Sequence, residues 1–100
     1  MASQIQFDWD PGKAAANRAK HGVSFEEAMG VFADPLAASI LDPGSPAGEE
    51  RWITLGLAAP GLLVVVHTAV EITDDLTYIR IISARRATRR ERKSYENEPG

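Results

Sequence analysis

Tyr78-Ile79-Arg80-Ile81-Ile82-Ser83 runs without a break into Ala84-Arg85-Arg86-Ala87-Thr88-Arg89-Arg90-Glu91-Arg92-Lys93. The first part is an apolar strand pattern. The second contains Thr88-Arg89-Arg90-Glu91, a capping box that opens a terminal helix reaching to about Glu96. Residues 76–97 hold seven of the eleven Lys and Arg and two of the fourteen acids, a local balance of +5 against −8 elsewhere. An acidic body thus gathers its cations at one strand-to-helix junction. A phosphate backbone is the commonest reason for such a spot, because neutralising phosphates releases counterions and gives sequence-independent affinity. A solvated helix face, or a surface for an acidic partner protein, is the competing reading.

Around that junction, the chain reads as a single domain over residues 1–100, with a core large enough to fold alone. Apolar residues make up 44% and charged residues 25%, the balance of an ordinary soluble globular domain. No cysteine is present, which excludes disulfides, thiol nucleophiles and cysteine-ligated zinc. With His21 and His67 as the two imidazoles, a histidine-based metal site is not expected, and no cofactor is implied. The first residues carry neither a basic start nor an apolar run. The longest apolar run, Leu62 to Val66, is too short to span a bilayer, so no membrane contact is expected and the expected setting is the cytoplasm.

Ile5 and Phe7 alternate with Gln6 and Asp8 as a short half-buried strand. Asp10-Pro11 then reads as an N-cap followed by proline in the first helical turn. The alanine-rich helix Gly12–Lys20 ends at His21-Gly22, with glycine in the left-handed position. Ser24-Phe25-Glu26-Glu27 is a first capping box, opening a second helix with Phe25, Ala28, Met29 and Phe32 on its buried stripe. Asp34-Pro35 stops it. Strands follow at Ala37–Leu41, Arg51–Leu55, Leu62–Thr68 and Leu76–Ser83. Asp42–Gly48 is turn-rich and the one candidate for a mobile excursion. The order β-α-α-β-β-β-β-α gives an α+β domain, a small antiparallel sheet with helices packed on one face.

A symmetric connection over Val70–Asp75 would set His67 opposite Tyr78, Val65 opposite Arg80 and Leu63 opposite Ile82. Val64, Val66, Ile79 and Ile81 would then form the face under the helices, leaving His67, Tyr78 and Arg80 together outside. Bordered by Arg85 and Arg86, that group holds what RNA cleavage needs without a metal. A base takes the ribose 2′-OH proton, an acid protonates the leaving 5′-oxygen, and cations offset charge on the phosphorane. Histidine suits the proton transfer, arginine the phosphate, and Tyr78 a stacked base or a donated hydrogen bond. The plainer readings are His67 as a satisfied strand residue, Arg80 snorkelling over isoleucines, and His21 beside the last carbonyls of its helix. Trp9 and Trp52 read more plainly as packing residues. Arg89, Arg90, Arg92 and Lys93 then form a solvated or partner-facing helix surface.

FDWDPGKAAANRAKHGVSFEEAMGVFADP from residue 7, ERWITLG from residue 50 and RIISARRATRRERKSYE from residue 80 together resemble the BrnT family of toxins. The resemblance covers residues 5–96, with its three motifs in order. It implies a RelE-like ribonuclease fold and growth arrest through cleavage of RNA, with mRNA the expected target. It also implies a cognate antitoxin, BrnA, with a ribbon-helix-helix DNA-binding domain. The toxin would join it in a heterotetramer, touch operator DNA only through it, and help to repress their shared operon. Lys20 and His21, Arg51 of the ERW element and Arg85 of the SARRAT element match the family pattern. His67 and Arg80 enter through strand pairing, and Tyr78, Arg86 and Arg89 are the candidate RNA contacts. A non-catalytic basic module holding nucleic acid or an acidic protein is the alternative from a different class.

Overall fold

A computed structural model describes residues 4–97; residues 1–3 and 98–100, the ends of the expected single domain, lie outside the described part. Strand β1 (Gln4–Asp8) leads into helix α1 (Pro11–His21). Asp10 caps that helix by accepting the Lys13 amide at 2.9 Å, and Gly22 closes it at φ 70°. The Ser24–Glu27 box then forms with both bonds in place, at 2.9 and 3.0 Å. The expected single helix is two pieces: α2 (Phe25–Ala28) and a 3-10 turn over Met29–Ala33. Close packing accompanies the tightening. A Cβ at Gly56 would sit 3.0 Å from the Val31 side chain, and one at Gly30 would sit 3.0 Å from Ala58. The helical layer therefore lies nearly on the sheet backbone at this point.

Five more strands follow: β2 (Ala38–Leu41), β3 (Trp52–Ala58), β4 (Gly61–His67), β5 (Val70–Thr73) and β6 (Leu76–Arg86), with helix α3 (Arg89–Asn97) last. The sheet runs β1-β6-β4-β3-β2, with β5 also paired to β6. The class is α+β, as expected, but the sheet is mixed rather than antiparallel, because β1 pairs with β6 in parallel. Val23, Phe25, Ala28 and Val31 pack against Leu63, Val65, Ile79, Ile81 and Ala84 to make the core. Trp9 packs edge-on to Phe25 at 5.9 Å, in agreement with its plainer reading.

The expected register of β4 on β6 needs correction. Val70–Asp75 is not merely a connection: Val70–Thr73 forms β5, an exposed strand on the first half of β6. β4 consequently meets β6 further along and across a bulge, with His67 opposite Ile81 and Val65 opposite Ala84. Relative to the expectation His67 moves three places, an odd number, and that turns the strand over. Leu63, Val65 and His67 face the helical layer, and Val64 and Val66 the other side.

Helix α3 departs from the expected one-sided packing. Arg85, paired with Val64 on the second face, grips Glu91 in the first turn of α3. Tyr95 reaches the Asp34 carboxylate at 2.6 Å. Val64 and Leu62 on that face are only 4% and 3% exposed. The loop expected to be mobile is braced instead. Ser45 Oγ donates to Asp42 O at 2.7 Å and accepts the Arg51 amide at 2.9 Å, while the Asp42 amide reaches Arg51 O at 2.8 Å.

Candidate functional site

Beyond the end of β1, the second half of β6 has no strand on that side, and α1 takes the vacant edge. Asn17, 7% exposed, donates to Ala84 O at 2.8 Å and to Val23 O at 3.0 Å, and accepts the Ala84 amide at 3.0 Å. A carboxamide supplies one donor group and one acceptor, as a strand backbone does. Lys13, Asn17 and Lys20 fall at i, i+4 and i+7, one stripe of α1. The buried carboxamide therefore carries two ammonium groups to the β6 edge, with His21 beside them.

Three hollows follow that edge. Lys13, Lys20, His21, Ile82 and Ser83 line one of about 240 Å³. Lys13, Ile82, Arg51, Arg80 and Glu49 line a narrow second one of about 70 Å³. Glu49, Arg80 and Tyr78 border a third of about 450 Å³. Shared walls make them one groove. Arg51 is held by Glu49 at 3.1 Å. Among the described residues Lys13, Lys20 and Arg80 form no ion pair within 4.0 Å. Tyr78 donates its phenol proton to Asp8, which raises the Tyr78 pKa. The same bond, with the Arg80 charge nearby, holds the Asp8 carboxyl below its usual range.

The expected candidates separate into groups. Lys20, His21, Arg51, Arg80 and Tyr78 come to one groove. Arg85, Arg86 and Arg89 line none of its hollows. Arg85 makes two 2.8 Å bonds to Glu91, pulling that carboxyl down to about 2. Glu91 also closes the expected box with Thr88, accepting its amide at 2.8 Å. Arg86 donates to Pro60 O at 2.9 Å, bracing the β3–β4 turn, and Arg89 is exposed on α3. Reading by composition passed over Lys13 and Asn17, although the helical spacing from Lys13 to Lys20 was a usable signal. Among the described residues no three His, Cys, Asp or Glu side chains gather as a metal-binding group.

His67 lies in the core, 4% exposed, away from Tyr78 and Arg80. Its Nδ1 is 3.0 Å from the Thr68 carbonyl, which can only accept, so the neutral ring carries its proton there. Nε2 then accepts from the Thr54 hydroxyl at 2.7 Å, and Thr54 in turn accepts from Ser39 at 2.7 Å. The Phe32 ring stands edge-on at 4.7 Å. Burial lowers the pKa below 6.5. The unfolded chain binds this proton more readily than the folded one, so acid favours unfolding. Unfolding free energy should fall as pH drops from 7 to 5, by up to about 1.4 kcal/mol per pH unit. Urea titrations at pH 5, 6 and 7 check it; an equal slope in His67→Gln would clear His67 as the source.

The family model for BrnT, the ribonuclease toxin of type II toxin–antitoxin systems, matches residues 9–91. No curated protein matches the chain. Among the described residues no helix is long and apolar enough to cross a membrane. The matched span runs from Trp9 through the groove to Glu91, the partner of Arg85. The chain belongs to the BrnT family of ribonuclease toxins.

Proposed function

We propose that the groove between α1 and β6 is where this toxin cuts RNA, as a metal-independent endoribonuclease acting on mRNA and arresting growth. The observation that carries the reading is the convergence of Lys13, Lys20, His21, Arg51 and Arg80 on one edge. The ribose 2′-oxygen attacks the neighbouring phosphorus and the 5′-oxygen leaves, giving a 2′,3′-cyclic phosphate. Arg80 and Arg51 offset the charge that builds on the phosphorane, where guanidinium donors act most strongly. Lys20 and His21 are the proton-transfer groups of this reading. Arg85 acts through α3, which it holds by Glu91, and His67 acts through the core.

A RelE-like fold is part of the proposal, supported by the helix-covered sheet and its basic edge. So is a cytoplasmic heterotetramer with a BrnA-like ribbon-helix-helix antitoxin that represses the shared operon. The exposed Arg89, Arg90, Arg92 and Lys93 on α3 suit an acidic stretch of that partner. They also support the second reading, a basic module that binds without cutting.

The purified protein should cleave RNA undiminished in EDTA, leaving 2′,3′-cyclic or 3′-phosphate ends. A strict magnesium requirement, or 3′-hydroxyl ends, would overturn the mechanism. Growth arrest without RNA breakdown would favour the binder.

A further inference from the structure

The third hollow differs from the rest of the groove. Its walls come from the braced loop at Glu49 and Glu50, from Thr68 and Val70, and from Tyr78 and Arg80. At about 450 Å³ it falls within the range of small-ligand sites. Carboxylates in a phosphate-binding groove work against the backbone they border, so their presence there needs a reason. Glu49 has one, its ion pair with Arg51. Glu50 has no hydrogen-bond or ion-pair partner among the described residues. The loop that carries it is fixed by the Ser45 bonds and by Gly48, whose φ of 82° is one that L side chains rarely adopt. The Tyr78 hydroxyl is occupied by Asp8, which fixes the ring as a surface.

A ligand for this hollow carries negative charge at the Arg80 end and hydrogen-bond donors at the Glu50 end. A nucleotide has that polarity, with its phosphate in the cationic hollow and its base beyond Arg80. We infer that the hollow is a nucleobase subsite selecting guanine, read by Glu50 and stacked on Tyr78. The inference rests on the ribonuclease reading of the neighbouring hollows. Unpaired bases are read on their Watson–Crick edges and stacked on aromatic rings. On that edge guanine offers two parallel donors, N1–H and N2–H, to the two oxygens of a carboxylate. Adenine and cytosine offer one amino group each. Uracil offers one imide N–H between two carbonyls, which a carboxylate repels.

Titrating the full chain with guanosine and uridine 3′-monophosphates, followed by NMR shifts, tests the subsite directly. Wild type should bind the guanine nucleotide at least about tenfold more tightly, a discrimination typical of one good bidentate contact. Glu50→Gln and Glu50→Ala, changes at an exposed loop position, should bring the two affinities within about twofold without weakening the uridine nucleotide. Equal affinities in wild type, or a preference that survives both variants, would overturn the subsite. RNA cleavage measured alongside separates the two readings. Cleavage with no base preference removes the subsite alone. Selective binding by a protein that cuts no RNA upholds the subsite and removes the ribonuclease assignment.

Discussion

Arg80→Ala will cleave RNA about a hundredfold more slowly than the wild type, with its unfolding free energy changed by no more than about 0.5 kcal/mol. The rate loss follows from position. Arg80 is the shared wall of the narrow hollow and of its larger neighbour, and it forms no ion pair among the described residues. Removing one charged donor from a developing oxyanion costs about 3 kcal/mol of barrier, or two orders of magnitude. Stability is spared because the side chain is exposed, while the Arg80 carbonyl still accepts the Thr68 amide at 2.9 Å. Lysine at the same place keeps the charge but not the fork of donors, so it should recover only part of the rate. Single-turnover cleavage of a defined RNA, paired with a denaturation curve, measures both quantities. Wild-type rates in Arg80→Ala would move the chemistry elsewhere.

Asn17→Ala should do the reverse and unfold the protein readily. The carboxamide makes three bonds at 2.8 to 3.0 Å, to both backbone groups of Ala84 and to Val23 O. Alanine leaves two carbonyls and an amide without partners at a buried edge, each worth about 1 kcal/mol or more. A loss of about 3 kcal/mol is expected, a large share of a small domain's stability. Denaturant midpoints measure it, and a loss below about 1 kcal/mol would mean that water replaces the carboxamide. Any activity lost by this variant should return in proportion to its folded fraction, unlike that of Arg80→Ala.

Those two residues mark what could be read along the chain. Local signals survived because their chemistry is local. Asp10 and Gly22 bracket α1, Ser24 with Glu27 and Thr88 with Glu91 close their boxes, and Ile79 and Ile81 lie in the core. Counting across a connection failed. A symmetric connection over Val70–Asp75 leaves no room for pairing, whereas four of those six residues form a strand and a bulge adds another step. Alternating Val70 and Ile72 carried that signal, but their exposure, at 52% and 56%, gives no hydrophobic reason to expect pairing. His67 moved into the core by the same miscount. Within the site, Lys20, His21, Arg51 and Arg80 were legible as residues but not as neighbours. The bond that joins them, from Asn17 to Ala84, crosses 67 positions and leaves no periodic trace.

That separation bears on when the molecule becomes dangerous during its own synthesis. Tyr78 meets Asp8 across 70 positions, and β1 finds its place only on β6. Contacts between such distant stretches wait until the later one has left the ribosome, so local helices form first and the sheet closes late. Lys13 and Lys20 emerge well before Arg80. A nascent chain halted anywhere before β6 therefore has at most four of its eleven Lys and Arg and no groove to hold them. On the ribonuclease reading of that groove, an interrupted translation product is expected to be inactive, and cleavage of RNA to wait until β6 has paired with β1.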